Sequence, residues 1–371
     1  LIGAGLLMRS LWHLWHVDPG FNAAGVLGMR ISLPEQQYPG GRERAALYQE
    51  LIDRILAVPG VEDAAATNDL PFSGSRTSTS FDIDGIPSVP GESRDADYRT
   101  VSSGYFGVMR IPVLKGRRFT RADNRPDAPR VAIINEALLR RYWRAANPLG
   151  QRLLMHEKPY EIVGVAGNVR HDDLTAADAG EIYVPQSQGN TPPWAFLAIR
   201  SRASLASLIP AIRSAVREVA PAEPLYDIRT MQDRLSKSIA PQRFNALALG
   251  VFASFALLLA TIGIYGVVAF AVERRIHEMG ISMAVGAQSA DVLFLVLREG
   301  LTLGVLGVSL GVAGALVVSR ILGSMLYGTG VADPITYSAV SGMFLAIAMA
   351  ASYVPARRAA RLDPMAALRW E

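Results

Sequence analysis

The sequence contains no cysteine among its 371 residues, and only 19% of them are charged. The absence of cysteine excludes disulfide bonds and thiolate metal sites, and it fits a bacterial surface domain that needs no oxidative cross-links. Aromatic residues make up 8% of the chain, while half of it is hydrophobic. A chain of this length with so few charges is too apolar for an ordinary water-soluble protein, so we predict that part of it lies in a bilayer.

Motifs for nucleotide and metal chemistry are also missing. The sequence has neither a G-x-x-x-x-G-K-[ST] phosphate loop nor a G-x-G-x-x-G fingerprint, so it cannot hydrolyse ATP by that route. No H-E-x-x-H spacing occurs among the five histidines. His171 beside Asp172 and Asp173 could ligate a metal, but a solvated loop is the favoured interpretation. We therefore expect no metal site, no cofactor and no catalytic residue.

Two further patterns suggest chemistry without supporting it. GVSLG at 307–311 matches a nucleophile elbow, but that elbow needs a strand-to-helix turn, whereas Ser309 lies in an apolar helical run. Basic residues in the polar region are interleaved with carboxylates, which is typical of a solvated face and argues against a nucleic-acid partner. These residues are Arg117, Arg118, Arg140, Arg141 and Arg144.

Long uncharged runs fill the last third of the chain. They cover 244–272, 300–319 and 335–356, and each is long enough to cross a hydrocarbon core of ~30 Å as a helix. The alternative, that these runs are core helices of a water-soluble protein, is disfavoured. Placing a charged residue at the centre of a membrane-spanning helix costs roughly 2.5–3.5 kcal/mol, and all three runs avoid this cost. The opening LIGAGLLM predicts the end of a truncated transmembrane helix, with a signal-peptide core as the alternative.

Arginine is concentrated on one side of these runs. It clusters in the segment 273–298 and in the C-terminal tail, as Arg274, Arg275, Arg298, Arg357, Arg358, Arg361 and Arg369. The connection 320–334 carries Arg320 at its edge and otherwise only Asp333. By the positive-inside rule, we expect the segment 273–298 and the C-terminus in the cytoplasm and residues 18–243 outside it.

Glycine recurs along the second run. Gly300 and Gly304 form one G-x-x-x-G pair, and Gly307 and Gly311 form another. Small residues at this spacing let helix backbones approach closely in lipid. We therefore expect this face to pack against another helix of the protein.

The polar region reads as a mixed α/β domain. TSFDIDG, RVAIIN and WAFLAIRS favour strands, whereas SLASLIPAIRSAVREV has helical periodicity. The expected architecture is an α-helical transmembrane bundle, with one truncated and three complete helices, carrying a large, two-lobed, mixed α/β extracytoplasmic domain. Its parts are the helix end and stalk at 1–17, the outer domain at 18–243 and the membrane domain at 244–371.

Several motifs resemble a known family. HEMGISMAVGA at 277–287, VLFLVLREGL and the terminal PARRAARLDPMAALRWE resemble the FtsX-like permease domain of ABC transporters. VSSGYFGVMRIPVLKGRRF, VAIINEALLRRYW, NPLGQRLL and YEIVGVAGNVR resemble the MacB-type periplasmic core domain. The entry RSLWHLWHVDPGFNAAGVL is similar to the second half of duplicated permeases of this group, which implies a longer parent protein.

The resemblance implies that the segment 273–298 is a coupling helix seated on a separate ATPase subunit. The positions matching the family motif are Glu278, Gly280, Ala284, Gly286 and Ala287. Gly280, Ala284 and Ala287 are spaced at i, i+4 and i+7, so on a helix they would form a face of small residues that could lie in a groove of the partner. A helix resting at the lipid surface is the alternative.

The match to the coupling motif is incomplete. The family often carries basic residues at positions that are occupied here by Ser282, Met283, Ser289 and Ala290. This difference leaves the strength of ATPase docking open.

Function follows from the same resemblance. It implies mechanotransmission, in which motion of the ATPase is passed through the bacterial inner membrane to the periplasmic domain. This movement would export a hydrophobic or peptide-like compound or a lipoprotein. A signalling module that activates a cell-wall hydrolase or sensor is the alternative, and a membrane-anchored enzyme is disfavoured. The expected partners are the ATPase, a second permease half or copy, membrane lipid and a periplasmic adaptor.

Two details refine this expectation. The run from Phe244, preceded by helical MQDRLSKSIAPQRF, would form a stalk with a kink or break at Pro241. Arg298 and Glu299 would hold the next helix at the lipid headgroups, with a lone surface ion pair as the alternative.

Overall fold

The computed structural model describes residues 1–85, 93–125, 127–143, 146–284, 288–322 and 333–360, which form two compact units. One unit is Val17–Ile239, and the other joins Leu1–His16 to the chain from Ala240 onward. The sequence places the boundary at 243/244 because the uncharged run starts there. The contacts place it at Ala240 instead, since the helix that contains this run begins with a polar turn.

The described helices are bounded as follows. They are α1 Ile2–Trp15, α2 Gly41–Leu56, α3 Tyr105–Val108, α4 Glu136–Tyr142, α5 Leu205–Val219, α6 Met231–Ser238, α7 Ala240–Arg274, α8 Ile276–Ala284, α9 Ser289–Leu322 and α10 Pro334–Ala359. A single 3₁₀ turn at Arg121–Asn124 is also described. Pro241 lies in the first turn of α7, where proline is tolerated, and α6 ends before it at Ser238.

The strands all belong to the Val17–Ile239 unit. They are β1 Val26–Ser32, β2 Val61–Thr67, β3 Ser78–Ser80, β4 Asp82–Ile83, β5 Asp95–Val101, β6 Val113–Gly116, β7 Val131–Asn135, β8 Arg152–Met155, β9 Lys158–Ala166, β10 Glu181–Pro185, β11 Trp194–Ser201 and β12 Leu225–Thr230. They form one sheet in the order β12-β1-β11-β2-β5-β10-β7-β9-β8-β4, with β3 beside β5 and β6 beside β9.

The sheet has a narrow waist. The strands β2 and β5 share one residue pair, Thr67 with Val101, whereas β1 and β11 pair from Val26 to Ser32. Side chains reinforce this waist: Ser102 Oγ accepts a hydrogen bond from the Ala66 N–H at 3.0 Å. The waist divides the sheet into a first half, β12-β1-β11-β2, and a second half, which begins at β5.

Alternation along the strands divides the core into layers. On β11, Leu197 packs under α2 and α5, while Phe196 on the opposite face joins a second cluster. That second cluster also takes Ile133 and Tyr183 from the second half of the sheet. Leu138, which belongs to α4, packs in a third cluster. The mixed α/β prediction is confirmed, with separate helices packed along one continuous sheet.

A buried ionic cluster lies close to the waist. Arg99 is fully buried and its Nη1 lies 2.6 Å from Asp69 Oδ2, while its Nε contacts Glu181. His171 Nε2 lies 2.7 Å from Glu181 Oε1, and the Tyr183 hydroxyl donates to Glu181 Oε2 at 2.5 Å. The expectation that His171 occupies a solvated loop is therefore wrong, because its imidazole is 8% exposed and paired with a carboxylate.

Charge pairing sets the protonation of this ionic cluster. Burial raises the pKa of Asp69, against the opposing effect of the Arg99 guanidinium. Burial also acts to raise the pKa of Glu181, but the charges of His171 and Arg99 outweigh it and lower that pKa to about 2. The ionised form of Glu181 therefore stabilises the fold above its usual pKa of 4.5, and this stabilisation is lost as the pH falls toward about 2.

The permease-like unit is built from three long apolar helices. Among the described residues, α7, Ser289–Val318 of α9, and α10 are long and apolar enough to cross a membrane. Their outward side chains are exposed, for example Phe252 at 69% and Phe294 at 71%, as lipid-facing residues would be. The α1 helix joins this unit at α10, where Arg9 pairs with Asp333, the residue that caps α10. The prediction of three complete spans is confirmed.

Replacing Arg99 with methionine tests the ionic cluster. This change removes the guanidinium that pairs with both buried carboxylates and leaves only His171 beside Glu181, so we expect Arg99→Met to lower the free energy of unfolding by about 3–5 kcal/mol at neutral pH. The loss should shrink between about pH 8 and pH 5, because the uncompensated carboxyls then take up protons. Denaturant unfolding followed by near-UV circular dichroism measures both effects.

Arg140→Met is the matched control, because Arg140 is exposed and pairs only with Glu136 one helical turn away. It should cost less than about 1 kcal/mol. Equal costs for the two variants would show that the buried cation is dispensable.

Candidate functional site

The short helix α8 lies where the sequence predicts a coupling segment, between the spans α7 and α9. Its Ile276, Met279 and Met283 lie at i, i+3 and i+7, so they share one helix face. Met279 is 5% exposed, which is unusual in a segment otherwise rich in polar residues. The helix is therefore held to the rest of the unit by an apolar face.

Met279 belongs to an apolar cluster that is formed by the ends of all three spans. Its apolar cluster contains Val268 and Val272 of α7, Val292 and Val296 of α9, and Ala356 and Ala359 of α10, with Met283 packed against it. Because packed cores shift between discrete arrangements and do not deform freely, α8 cannot move without repacking against these three ends. This set of residues is called the α8 cluster below.

The opposite face of α8 is exposed. His277 and Glu278 are exposed, and Ile281 is 45% exposed. An exposed isoleucine beside ionisable side chains on an otherwise anchored helix is suited to contact another protein surface.

A surface ion pair crosses the same end of the unit. Arg275, between α7 and α8, places Nη1 3.6 Å from Glu299 Oε2 on α9. Both side chains are substantially exposed, so the pair contributes at most about 1 kcal/mol. This ion pair therefore links the residue between α7 and α8 to α9.

The predicted coupling residues are only partly described. Glu278 lies on the exposed face of α8, and Gly280 and Ala284 lie on the same helix, which ends at Ala284. Gly286 and Ala287 lie outside the described residues. Beyond them, α9 begins at Ser289, well before Gly300, because Val292 and Val296 extend its apolar face into the α8 cluster.

The glycines of α9 differ in what they face. A Cβ on Gly300 would lie 2.1 Å from Ser352 Oγ and 2.7 Å from Ser352 Cβ on α10. A Cβ on Gly304 would lie 3.3 Å from the Cβ of Ala348, and one on Gly307 would lie 3.7 Å from the ring of Phe344.

Gly311 has nothing within 4 Å of a Cβ built on it. The close approach of α9 to α10 is therefore concentrated at the end of α9 nearer the α8 cluster, and it loosens along the helix.

The other candidate residues lie apart from this site. Ser309 Oγ donates to the carbonyl of Val305 inside α9, which is the bond of an ordinary helical serine. Among the described residues, no three His, Asp or Glu side chains are placed to hold a metal ion. Arg117 pairs with Asp123, and Arg144 lies outside the described residues.

Sequence reasoning missed the role of Met279. The signal was present, because Ile276, Met279 and Met283 follow a helical period inside a polar segment. The family motif instead predicts contacts at the small residues Gly280, Ala284, Gly286 and Ala287.

Gly300→Ala tests the close helix contact. Even a methyl group overlaps both atoms of the Ser352 side chain, so we expect a loss of about 1–3 kcal/mol from forced separation of α9 and α10. Gly311→Ala is the matched control, and it should leave stability unchanged or slightly raised because that site is open and alanine favours helix. Thermal unfolding in detergent, followed by intrinsic fluorescence, measures both. The packing interpretation fails if the two variants melt alike.

Comparison with known proteins agrees with the two units. The family model described as MacB-like periplasmic core domain matches residues 13–219, and the FtsX-like permease C-terminal model matches residues 250–364. The periplasmic region of MacB from Actinobacillus actinomycetemcomitans aligns with 61% of this chain and 97% of its own, at 12% identity and a TM-score of 0.42.

Curated relatives match most of this chain. The pyoverdine export ATP-binding/permease protein PvdT of Pseudomonas syringae pv. tomato is 30% identical over 71% of this chain and 41% of its own length. The uncharacterized ABC transporter permease YknZ of Bacillus subtilis is 28% identical over 76% of this chain and 71% of its own. The chain spans about two fifths of the length of the first of these relatives. With both models matching in chain order, the chain belongs to the MacB/FtsX-type family of ABC transporter permeases.

Proposed function

We propose that this chain is the permease subunit of an ABC transporter of the bacterial inner membrane and that α8 receives motion from a separate cytoplasmic ATPase. The observation that carries the proposal is the burial of Met279 among the ends of α7, α9 and α10. A push or pull on the exposed face of α8 is transmitted through this contact to three spans at once. The predicted orientation, with arginines flanking α8, supports placing it in the cytoplasm.

A separate ATPase is part of this proposal. Residues 1–371 carry no phosphate-binding loop of the Walker type. PvdT is named as an ATP-binding/permease protein, whereas YknZ is named as a permease. On this basis, we propose that another subunit supplies ATP hydrolysis to this chain.

The transported molecule would be handled outside the cytoplasm by the MacB-like domain. The names of the relatives support export, and we propose a hydrophobic or peptide-like compound or a lipoprotein as the cargo class. A second permease half or copy would complete the membrane assembly, and a periplasmic adaptor would extend it.

Charge reversal on α8 tests docking. We expect Glu278→Arg to lower recovery of the ATPase roughly tenfold when the full chain is purified in detergent with candidate ABC ATPases, because the exposed face of α8 forms the contact. Glu50→Arg, an equal charge change at an exposed position on α2 of the outer domain, is the matched control and should retain the ATPase.

Truncation of the buried face separates docking from transmission. Met279→Ala leaves the exposed face of α8 intact, so we expect ATPase recovery within about twofold of wild type. Permease-stimulated ATP hydrolysis should fall several-fold, because the cavity lets α8 move without the spans. The proposal is wrong if no ATPase is recovered under any nucleotide condition, or if Met279→Ala leaves stimulation intact.

A further inference from the structure

One face of the outer sheet is only partly covered by a helix. On β1, Gly28, Arg30 and Ser32 point away from α2 and α5, because the residues between them pack under those helices. A Cβ on Gly28 would lie 3.4 Å from Nε of Arg234, so α6 covers this face at that end of the strand. Ser32 is exposed, so this cover ends before the other end of the strand is reached.

Aromatic rings surround Arg30 on this face. The strand register places Phe196 of β11 and Tyr226 of β12 directly opposite Arg30, and Trp194 opposite Ser32. The guanidinium carbon of Arg30 lies 5.4 Å from the ring centre of Phe196 and 5.6 Å from that of Tyr226. The ring centre of Trp194 lies 5.7 Å away. A cation within about 6 Å of a ring face is attracted to it, so these rings hold the guanidinium in place.

The guanidinium of Arg30 has no counter-ion. Within the described part of the chain, Arg30 makes no ion pair and no hydrogen bond, and of its three nitrogen atoms Nε is enclosed while both Nη atoms reach solvent. The acidic residue of β12, Asp227, is already engaged, because its carboxylate lies 2.7 Å from Nη2 of Arg234 and 3.1 Å from Nε of Arg229. Arg30 is therefore left as a half-buried cation that lacks an anion.

Two of the surrounding rings are open to solvent. Trp194 is 37% exposed and Tyr226 is 39% exposed, whereas Phe196 is buried beneath the guanidinium. Tryptophan, tyrosine and arginine are the residues enriched at the energetically important centres of protein interfaces. Arg30, Trp194 and Tyr226 are called the Arg30 patch below.

The chemistry of the Arg30 patch selects a carboxylate. A guanidinium that stacks on rings keeps its planar N–H donors free, and a carboxylate matches their geometry. Because the rings already order the Arg30 side chain, little further conformational entropy is lost when an anion binds. The exposed rings beside it bury apolar side chains that flank such a carboxylate.

We propose that the Arg30 patch is a docking surface for a partner protein that presents an aspartate or glutamate between apolar side chains. The carboxylate pairs with the Nη groups of Arg30, and the flanking side chains pack on Trp194 and Tyr226. The patch does not involve α8 or the spans, so this inference stands whether or not the ATPase coupling is correct.

The test uses the full chain in detergent and two capped peptides that differ in one group. The probes are acetyl-Val-Asp-Val-amide and acetyl-Val-Asn-Val-amide, and titration into detergent alone corrects for partition into micelles. By isothermal titration, the Asp peptide should bind with a Kd of about 1 mM or tighter, which is the range expected of a short isolated segment. The Asn peptide should bind at least tenfold more weakly, because it lacks the charge that pairs with Arg30.

Sodium acetate serves as a third probe, because it carries the same carboxylate without flanking side chains. It should bind at least tenfold more weakly than the Asp peptide, since it cannot contact Trp194 and Tyr226. Binding of acetate as tight as that of the peptide would show a simple anion site and would overturn the docking proposal.

Variants then assign the roles within the patch. Arg30→Gln should bring the affinities of the Asp and Asn peptides to about the same value, whereas Arg30→Lys, which keeps the charge but loses the planar donors, should weaken the Asp peptide several-fold. Trp194→Ala should weaken both peptides several-fold. Arg213→Gln removes an exposed arginine of α5 in the same domain and should leave both affinities unchanged.

The peptide comparison also separates docking from folding. Thermal melting reports whether each variant is folded, and Trp194→Ala decides the case if Arg30→Gln does not fold, because it removes only a partly exposed ring. The proposal is overturned if the Asp peptide does not bind at millimolar concentration, if the Asp and Asn peptides bind equally to the unmodified chain, or if Trp194→Ala leaves both affinities unchanged. A folded Arg30→Gln variant that still prefers the Asp peptide tenfold would equally overturn it.

Discussion

The burial of Met279 among three helix ends is the contact on which the permease-like unit depends. In a bilayer, the hydrophobic effect does not drive helices together, so their arrangement rests on close packing at a few points. One such point is Gly300 against Ser352, where the missing Cβ lets α9 approach α10. The α8 cluster is a second point, and it ties α8 to all three spans. Together they make the end of the bundle nearest α8 its most tightly packed part.

The outer domain is stabilised by strand pairing and side-chain contacts, not by close packing of helices. The twelve strands among its described residues form one sheet, yet the two halves share the single pair Thr67–Val101. Backbone hydrogen bonds are therefore scarce where the halves meet, and side chains replace them. The ionic cluster around Arg99 lies near this waist.

The two regions differ in how readily the sequence predicts them. A span must be apolar over its whole length, because neither charge nor unpaired backbone is tolerated in hydrocarbon, and the three runs are visible in composition alone. The pairing of Gly300 with Ser352 is less visible, because a glycine pattern gives a helix face but not its partner. His171 shows the limit most clearly, since its neighbours Asp172 and Asp173 suggested a solvated loop, and its true partner is Glu181 on a strand.

By itself, the sequence determined the three spans, the mixed α/β character of the outer domain and the position of the segment between α7 and α9. These features depend on local periodicity and on transfer free energies, which each stretch of residues carries independently of the rest. Tertiary structure alone decided that Met279 joins a cluster with the ends of three spans and that Arg99 pairs with two carboxylates. Those contacts join residues far apart in the chain, and their energies exist only once the chain has folded.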